Sequence, residues 1–269
     1  MNRLTKCILL ISCVLMISCA KKSEIIGKPA EYKSDNVSMK GYLVYDNKIN
    51  KKRPGVLVLH EWWGQDENVR KRAQMLAQMG YTALVVDMYG DGITAKDPEE
   101  AAKHAKEITG NLDLEKSRYT AAINFLKQQE TVDPDRIAAI GYSFGGHIAL
   151  DMARYGADID AVVTFYGGIT LTETQPPAQP GAIKAKILIC QGEKDWYMAE
   201  HAITGFTQEM KHAGADFKII TYKDAEHGFA NPDAKQVVER FKLKYAYDEQ
   251  ADKKSWADMQ EFLKSVFGK

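Results

Sequence analysis

The sequence predicts a single α/β domain with a mostly parallel central sheet that is covered by helices on both faces. Stretches with the composition of buried strands alternate with stretches of helical periodicity, a pattern typical of parallel sheets. The chain has 269 residues, which is enough for one large domain of this class. Hydrophobic residues make up 45% of the chain and can fill a sizeable core.

The first half of the domain begins with an alternating stretch at residues 37–47, VSMKGYLVYDN, which predicts an antiparallel strand or hairpin. The apolar run RPGVLVLHEWWG at 53–64 predicts a strand that is buried on both faces and ends in a loop. A helix is predicted at 68–80, where apolar residues recur at helical spacing and Gly80 ends the periodicity. The stretch YTALVVDMYG at 81–90 predicts the next strand.

The second half continues this alternation to the end of the chain. Asp97 and Pro98 provide the cap and the first residue of a predicted helix, PEEAAKHAKEI. The later segments are predicted, in order, as a helix at 114–129, a strand at 135–143, a helix at 145–156, strands with their following loops at 160–168 and 185–195, a helix at 201–214, a strand with its loop at 217–229, and a helix at 255–267. In such sheets, functional residues gather in loops beyond the carboxyl ends of the strands.

Charge and cysteine content narrow the classes of partner. Basic and acidic residues both total 36, so the formal net charge is zero, and neither nucleic acid nor an anionic membrane surface is expected as a partner. No spacing of histidines, cysteines and acids is typical of a metal site, so neither a metal nor a cofactor is expected. Cys190 lies in an apolar run and is predicted to be a packing residue.

The N-terminal residues 1–18 have the pattern of a signal peptide. Arg3 and Lys6 are followed by an apolar run at 7–18, which is too short for a comfortable permanent span. The last part of this run, with the cysteine that follows it, resembles a bacterial lipoprotein signal. That resemblance implies that Cys19 becomes the acylated first residue of the mature chain.

Polar residues 19–36 predict a tether that leads into a domain spanning residues 37–269. An ordinary secretory signal and an uncleaved N-terminal anchor are alternatives to the lipoprotein signal. In each case the chain is expected to be exported, either as a membrane-anchored lipoprotein or as a periplasmic protein. Membrane contact is expected only through the lipid anchor, and a monomer is expected although the oligomeric state is open.

The stretch GYSFGG at 141–146 carries the chemistry that the sequence predicts most directly. Gly141, Ser143 and Gly145 form a G-x-S-x-G motif between a predicted strand and a predicted helix. A sharp strand-to-helix turn leaves no room for Cβ atoms beside the serine, which explains the glycines. The following helix directs backbone N–H groups towards a developing oxyanion. Ser143 is therefore predicted to be a nucleophile.

A serine nucleophile needs a base that an acid orients. His227 follows the last predicted strand, and Asp195 follows the strand before it, so chain order gives Ser143, Asp195 and then His227. Glu193 and Asp224 are the competing acids. The pattern favours Asp195, because it lies just beyond the end of its strand.

The other histidines have simpler interpretations. His104, His201 and His212 lie on predicted helices and are expected at the surface or rim, and His147 is expected to pack. His60 ends a central strand and is expected to shape the site without transferring a proton.

Four stretches together resemble the dienelactone hydrolase family of the α/β-hydrolases. They are VLVLHEWWG with the helix and strand after it, RIAAIGYSFGG, ILICQGEKD and YKDAEHGF. They occur in the order and spacing of that family and cover the chain from about residue 37 to its end. The resemblance implies an α/β-hydrolase fold and a hydrolase of a small-molecule carboxylic ester or lactone.

The resemblance also implies roles for individual residues. Ser143, Asp195 and His227 match the nucleophile, the acid and the base of the family. Trp62 and Phe144 match the positions whose backbone N–H groups form the oxyanion hole. Glu61 matches a glutamate that interacts with the resting nucleophile in members that use cysteine; a structural carboxylate that binds loop amides is the alternative for it.

Two departures from the family bear on the substrate. The best-known members have cysteine where this chain has Ser143, and they hold an anionic lactone with two arginines. Asp91 and Asn231 stand at the places of those arginines. A substrate carboxylate facing Asp91 would meet like charge without a compensating guanidinium, so a neutral or cationic ester is expected.

Other functions remain open on the same scaffold. A peptidase or an acyltransferase would share the three residues, and a surface lipoprotein could retain the fold without catalysis. The Pro-rich segment at 168–184 follows a predicted strand and is either a substrate-facing lid or a plain surface connection.

Overall fold

A computed structural model describes residues 23–172, 175–197 and 200–268. The predicted signal peptide, Cys19 and the first residues of the predicted tether lie outside these residues. No helix among the described residues is long and apolar enough to cross a membrane.

The described residues form one eight-stranded sheet with the strand order β1-β2-β4-β3-β5-β6-β7-β8. The pairs β1–β2 and β2–β4 are antiparallel, and the other five pairs are parallel. The strands are β1 (Ile25–Ser34), β2 (Val37–Asp46), β3 (Arg53–Leu59), β4 (Thr82–Val86), β5 (Val132–Tyr142), β6 (Ala161–Phe165), β7 (Lys186–Gly192) and β8 (Phe217–Tyr222). The predicted mostly parallel sheet is confirmed.

Within the part of the chain that the structure describes, seven helices connect and cover these strands. They are α1 (Glu67–Gln78), α2 (Pro98–Thr109), α3 (Leu112–Lys127), α4 (Phe144–Arg154), α5 (Glu200–Ala213), α6 (Ala234–Phe241) and α7 (Glu249–Phe267). The Asp97 side chain caps α2 by accepting from the Glu100 N–H, with Pro98 at its start, as predicted. Gly80 follows α1 with a φ of 85°, a conformation that ends helices and favours glycine.

The core is divided between the two faces of the sheet. Successive residues of a strand point to opposite faces, so Leu57 belongs to the core that includes residues of α3, α4 and α5, whereas Val58 belongs to the core that includes residues of α1 and α7. Strands β3, β4 and β6 are buried along their whole length. This double coverage explains why the central strands are continuous apolar runs in the sequence. Cys190 is fully buried in the second core, as predicted.

The N-terminal boundary of the domain requires a correction. The tether predicted for 19–36 is wrong over Ile25–Ser34, because these residues form β1 and pair with β2 along ten residues. Ala30, Tyr32 and Ser34 alternate as buried residues while their neighbours are exposed. An edge strand with one exposed face has this polar composition, so the sequence pattern does not distinguish it from a polar tether. Helix α6 was not predicted either.

Candidate active site

Ser143 occupies a sharp turn between β5 and α4. Its φ of 49° and ψ of −113° are strained for a residue with a side chain, and its N–H donates to the Phe165 carbonyl at 2.9 Å. A Cβ on Gly141 would lie 2.1 Å from the Gly145 oxygen, and a Cβ on Gly145 would lie 2.5 Å from the Leu59 oxygen. The turn therefore requires both glycines, and it holds the hydroxyl of Ser143 out at the carboxyl end of the sheet.

The three residues predicted from chain order form a hydrogen-bonded chain. Ser143 Oγ lies 2.8 Å from His227 Nε2, and His227 Nδ1 lies 3.0 Å from Asp195 Oδ2. The Asp195 side chain is fully buried, and it also accepts from Gln191 Nε2 at 2.6 Å and from the Tyr197 N–H at 2.9 Å. These bonds fix a carboxylate behind the imidazole, whose other nitrogen faces the hydroxyl.

The competing acids lie elsewhere. Glu193 Oε2 accepts from the Asp224 N–H at 3.0 Å, and Asp224 pairs with Lys194 at 2.6 Å. Both acids are exposed, and neither contacts His227 through a hydrogen bond. The structure therefore brings Asp195, and not its rivals, to the imidazole.

The two residues predicted for the oxyanion hole, Trp62 and Phe144, line the same cavity as Ser143. Trp62 follows β3 in the HEWWG loop, and Phe144 is the first residue of α4. Neither N–H donates to a protein acceptor within the described residues, whereas the Trp62 carbonyl accepts from the Tyr89 hydroxyl at 2.8 Å. Both residues line the cavity beside Ser143. Free amides at such a position can stabilise negative charge on a bound oxygen.

Glu61 is a buried carboxylate with three donors around it. Tyr166 donates at 2.8 Å, Asn231 Nδ2 donates at 3.1 Å, and the Tyr245 hydroxyl contacts both carboxylate oxygens. Burial, followed by the charge of Glu61, raises the pKa of Tyr166 and of Tyr245 well above the ordinary value, so both phenols stay protonated donors. Within the described chain, Ser143 is not among the hydrogen-bond partners of Glu61.

His60 is the first residue of the HEWWG stretch, and it does not line the cavity. Its Nδ1 contacts the Glu61 carbonyl, and its Nε2 accepts from the Met88 N–H at 3.3 Å. Its ring packs against Tyr89 and Phe144, with centroids 4.9 and 5.9 Å away. Burial lowers the pKa of His60, which favours a neutral ring that supports the loop.

A cavity of about 480 Å³ opens beside Ser143 and His227. Such a volume suits a small organic molecule. Six aromatic side chains line it: Trp62, Trp63, Phe144, Trp196, Tyr197 and Tyr245. Trp196 and Tyr197 are more than half exposed, which places them at the mouth.

The sequence pattern of the dienelactone hydrolase family matches residues 39–267. This chain belongs to the dienelactone hydrolase family. It is a hydrolase of that kind, with an α/β-hydrolase fold, and its family acts on small-molecule esters or lactones.

Similar proteins agree with this assignment. A putative carboxymethylenebutenolidase of Aquifex aeolicus is 26% identical over 219 residues, which are 80% of this chain and 91% of that protein. The solved structure of m3DLH has a TM-score of 0.84 and 32% identity, covering 90% of this chain and 99% of that one. The dienelactone hydrolase-like promiscuous phosphotriesterase P91, from metagenomic libraries, has a TM-score of 0.84 and 28% identity over the same shares.

Asp91 and Asn231 stand where well-known members of the dienelactone hydrolase family have arginines. The prediction that these two residues face the substrate requires a correction. Neither Asp91 nor Asn231 lines the cavity. Asp91 is exposed in a turn with a φ of 53°, and its N–H donates to the Ser38 carbonyl. Asn231 is buried between Glu61 and Tyr245. Because Asp91 does not line the cavity beside Ser143, the repulsion argument built on Asp91 is wrong.

Several site residues of this dienelactone hydrolase family member were not singled out from the sequence. Tyr166 and Trp196 follow β6 and β7, so their places at strand ends were a usable signal. Tyr245 precedes α7, far from any strand end, and only tertiary packing brings it to Glu61. Among the described residues, no group of three or more histidine, cysteine or acidic side chains is arranged to hold a metal ion.

Proposed function

We propose that the protein is a serine hydrolase that cleaves a small uncharged or cationic ester or lactone by two-step acyl transfer. The observation that carries this proposal is the hydrogen-bonded chain from Ser143 through His227 to Asp195 at the floor of an aromatic cavity. In this proposal Ser143 is the nucleophile, His227 the base and Asp195 the acid that orients it.

In the first step, Ser143 Oγ attacks the ester carbonyl carbon while His227 Nε2 takes the hydroxyl proton. The buried Asp195 carboxylate stabilises the imidazolium through Nδ1–H. The Trp62 and Phe144 amides donate to the oxyanion that develops on the carbonyl oxygen. When the tetrahedral intermediate collapses, the imidazolium gives its proton to the leaving alcohol and the acyl group remains on Ser143.

In the second step, water replaces the alcohol. His227 removes a proton from this water as its oxygen attacks the acyl carbon, and the same two amides hold the second oxyanion. Collapse returns the proton to Ser143 and releases the carboxylic acid. The resting arrangement of the three side chains is thereby restored.

The charge of the cavity supports a substrate without a carboxylate. The described lining contains no arginine, and its cation, Lys244, is exposed. Glu61 is part of the lining, and its carboxylate accepts from Tyr166 and Asn231. A substrate carboxylate would lose its hydration beside this acidic side chain and gain no bidentate partner.

The decisive test is Ser143→Ala, measured by hydrolysis of p-nitrophenyl acetate and by labelling with a fluorophosphonate probe. We expect the rate to fall by at least about 10³-fold and the label to disappear, because Ser143 carries the hydroxyl that is hydrogen-bonded to His227. Ser265→Ala is the matched control, since that serine is exposed on α7 and should leave both measurements unchanged.

A rate or label that survives in Ser143→Ala contradicts the proposed nucleophile. In the wild-type enzyme, a carboxylate-bearing p-nitrophenyl succinate should be hydrolysed more slowly than the acetate. Product analysis with an added alcohol or a peptide distinguishes an acyltransferase or a peptidase from a hydrolase. Absence of any label on wild-type Ser143 would favour a non-catalytic binding protein.

A further inference from the structure

One side of the cavity is formed by residues 168–172, called here the cavity wall. Gly168, Thr170, Leu171 and Thr172 line the cavity, and the segment follows β6 without regular secondary structure. A segment of this kind could swing as a lid or stay fixed. The bonds that hold it decide between the two.

The beginning of the cavity wall is bonded to α4, the helix that starts directly after Ser143. His147 Nδ1 donates to the Gly168 carbonyl at 2.9 Å, and Arg154 Nη2 donates to the Ile169 carbonyl at 2.7 Å. The Arg154 side chain is fully buried. The wall is thus tied to the same helix that carries the N–H of the proposed oxyanion hole.

The end of the cavity wall is held by one buried side chain, Gln175. Its Oε1 accepts from the Thr172 N–H at 2.8 Å, and its own N–H donates to the Thr172 carbonyl at 3.1 Å. Its Nε2 donates to Asp151 Oδ2 and lies 3.2 Å from His147 Nε2. Gln175 therefore connects the wall to two residues of α4.

A buried charge cluster lies behind Gln175. Arg154 pairs with Asp151 and with Glu209, both at 2.9 Å, and Glu209 also accepts from the Ala178 N–H at 3.1 Å. Glu115 is fully buried beside this cluster, and its burial and the Asp151 charge raise its pKa to about 9. Asp151 and Glu209 are the acids that pair directly with Arg154.

Moving the wall away would break these bonds, and their side-chain partners Gln175, Arg154 and Asp151 are buried. A buried polar group that loses its partner costs about 1–3 kcal/mol, and more when it is charged. Asp151 would lose the Gln175 amide, and Arg154 would lose the Ile169 carbonyl. The bonds therefore favour a fixed wall over a swinging lid.

We propose that Gln175 is a positioning residue that sets substrate size selectivity by fixing the cavity wall. The inference rests on the proposed function, since it concerns the esters that reach Ser143. Gln175 does not line the cavity and acts through its bonds to Thr172, His147 and Asp151. With the wall fixed, the width of the cavity is fixed, and bulky acyl groups are disfavoured relative to small ones.

The test replaces Gln175 with methionine, which has a similar length and volume but no amide. The full chain is assayed with p-nitrophenyl acetate and p-nitrophenyl benzoate. We expect the benzoate-to-acetate ratio of kcat/KM to rise about tenfold, the usual scale for a change in pocket fit. Amide hydrogen exchange in peptides containing residues 168–172 should become faster. Gln175→Asn, which shortens the reach of the amide, should change both measurements in the same direction if the methionine variant does not fold.

Gln179→Met is the matched control, because Gln179 is exposed four residues after Gln175 and its side-chain amide donates to the nearby Pro177 carbonyl. The benzoate-to-acetate ratio of kcat/KM in Gln179→Met should stay within about twofold of the wild-type ratio.

The role of Gln175 is overturned if a folded Gln175 variant keeps the wild-type ratio, whether both esters are slowed equally or not at all. Fluorophosphonate labelling of wild-type Ser143 reports the proposed function separately. A labelled Ser143 with an unchanged ratio overturns the wall inference alone, whereas an unlabelled Ser143 overturns both.

Discussion

Glu61 connects three distant segments of the site through one buried carboxylate. Its donors come from the end of β6 (Tyr166), from the loop after His227 (Asn231) and from the segment before α7 (Tyr245). It also precedes Trp62, whose amide we assign to the oxyanion hole. Asn231 thus contacts the Glu61 carboxylate, although Asn231 itself does not line the cavity.

Glu61→Gln tests this positioning role. An amide brings N–H donors to a place where three donors already converge, so at least one buried polar group loses its acceptor. We expect the free energy of unfolding to fall by about 1–3 kcal/mol. The kcat/KM should fall by at least about tenfold, because the loop that carries Trp62 moves. Urea unfolding and p-nitrophenyl acetate kinetics measure the two effects.

Glu193→Gln serves as the control, since Glu193 is exposed and lies on the loop after β7. Its effect on both quantities should be small. If Glu61→Gln hydrolyses the ester at the wild-type rate, the carboxylate does not position the site.

Among the elements, β1 extends the domain towards the N-terminus, beyond the start predicted at residue 37. It forms the edge of the sheet and pairs with β2 over ten residues. Tyr32 from this strand stacks on Phe125 of α3, with ring centroids 5.0 Å apart. The strand therefore covers one end of the core that α3 builds.

A chain that begins at Val37 should be less stable than one that begins at Ser23. Loss of β1 removes the buried Tyr32 ring and the pairing with β2. We expect the free energy of unfolding to fall by at least about 3 kcal/mol, the scale for deleting a buried aromatic side chain. Urea unfolding of the two chains compares them, and equal midpoints would show that β1 contributes nothing to the domain.

At the scale of the whole molecule, we propose that residues 1–18 direct export and that Cys19 carries a lipid. Strand β1 begins at Ile25, so Cys19 precedes it by only a few residues in the sequence. Such a short connection would hold the enzyme close to the membrane surface. Its cavity would then sample substrates at that surface.

Expression in a bacterial host with labelled palmitate tests this proposal. The wild-type chain should incorporate the label and sediment with membranes. Cys19→Ser should lose the label, because a serine hydroxyl does not accept the thioether-linked lipid. Cys190→Ser is the matched control, since Cys190 is buried in the core and should leave labelling intact. Label retained in Cys19→Ser would refute lipidation at that residue.

The sequence by itself determined the order of β2 to β8 and of the helices other than α6, and it supplied the candidates for nucleophile, base and acid. Strands buried on both faces must be apolar throughout, and a sharp turn at Ser143 must have glycines, so both leave local signals. Asp195 and His227 follow from chain order because parallel strands bring their carboxyl ends to one edge.

Only the tertiary structure decided which side chains surround the substrate. Neither Asp91 nor Asn231 lines the cavity, and Tyr245 reaches Glu61 across a separation of 184 residues. The path of a loop depends on contacts with segments far away in the chain, and local periodicity carries no record of those contacts. The edge strand β1 was not predicted for a related reason. One face of the strand is buried by tertiary contacts, whereas its polar composition reflects the face that is exposed to solvent.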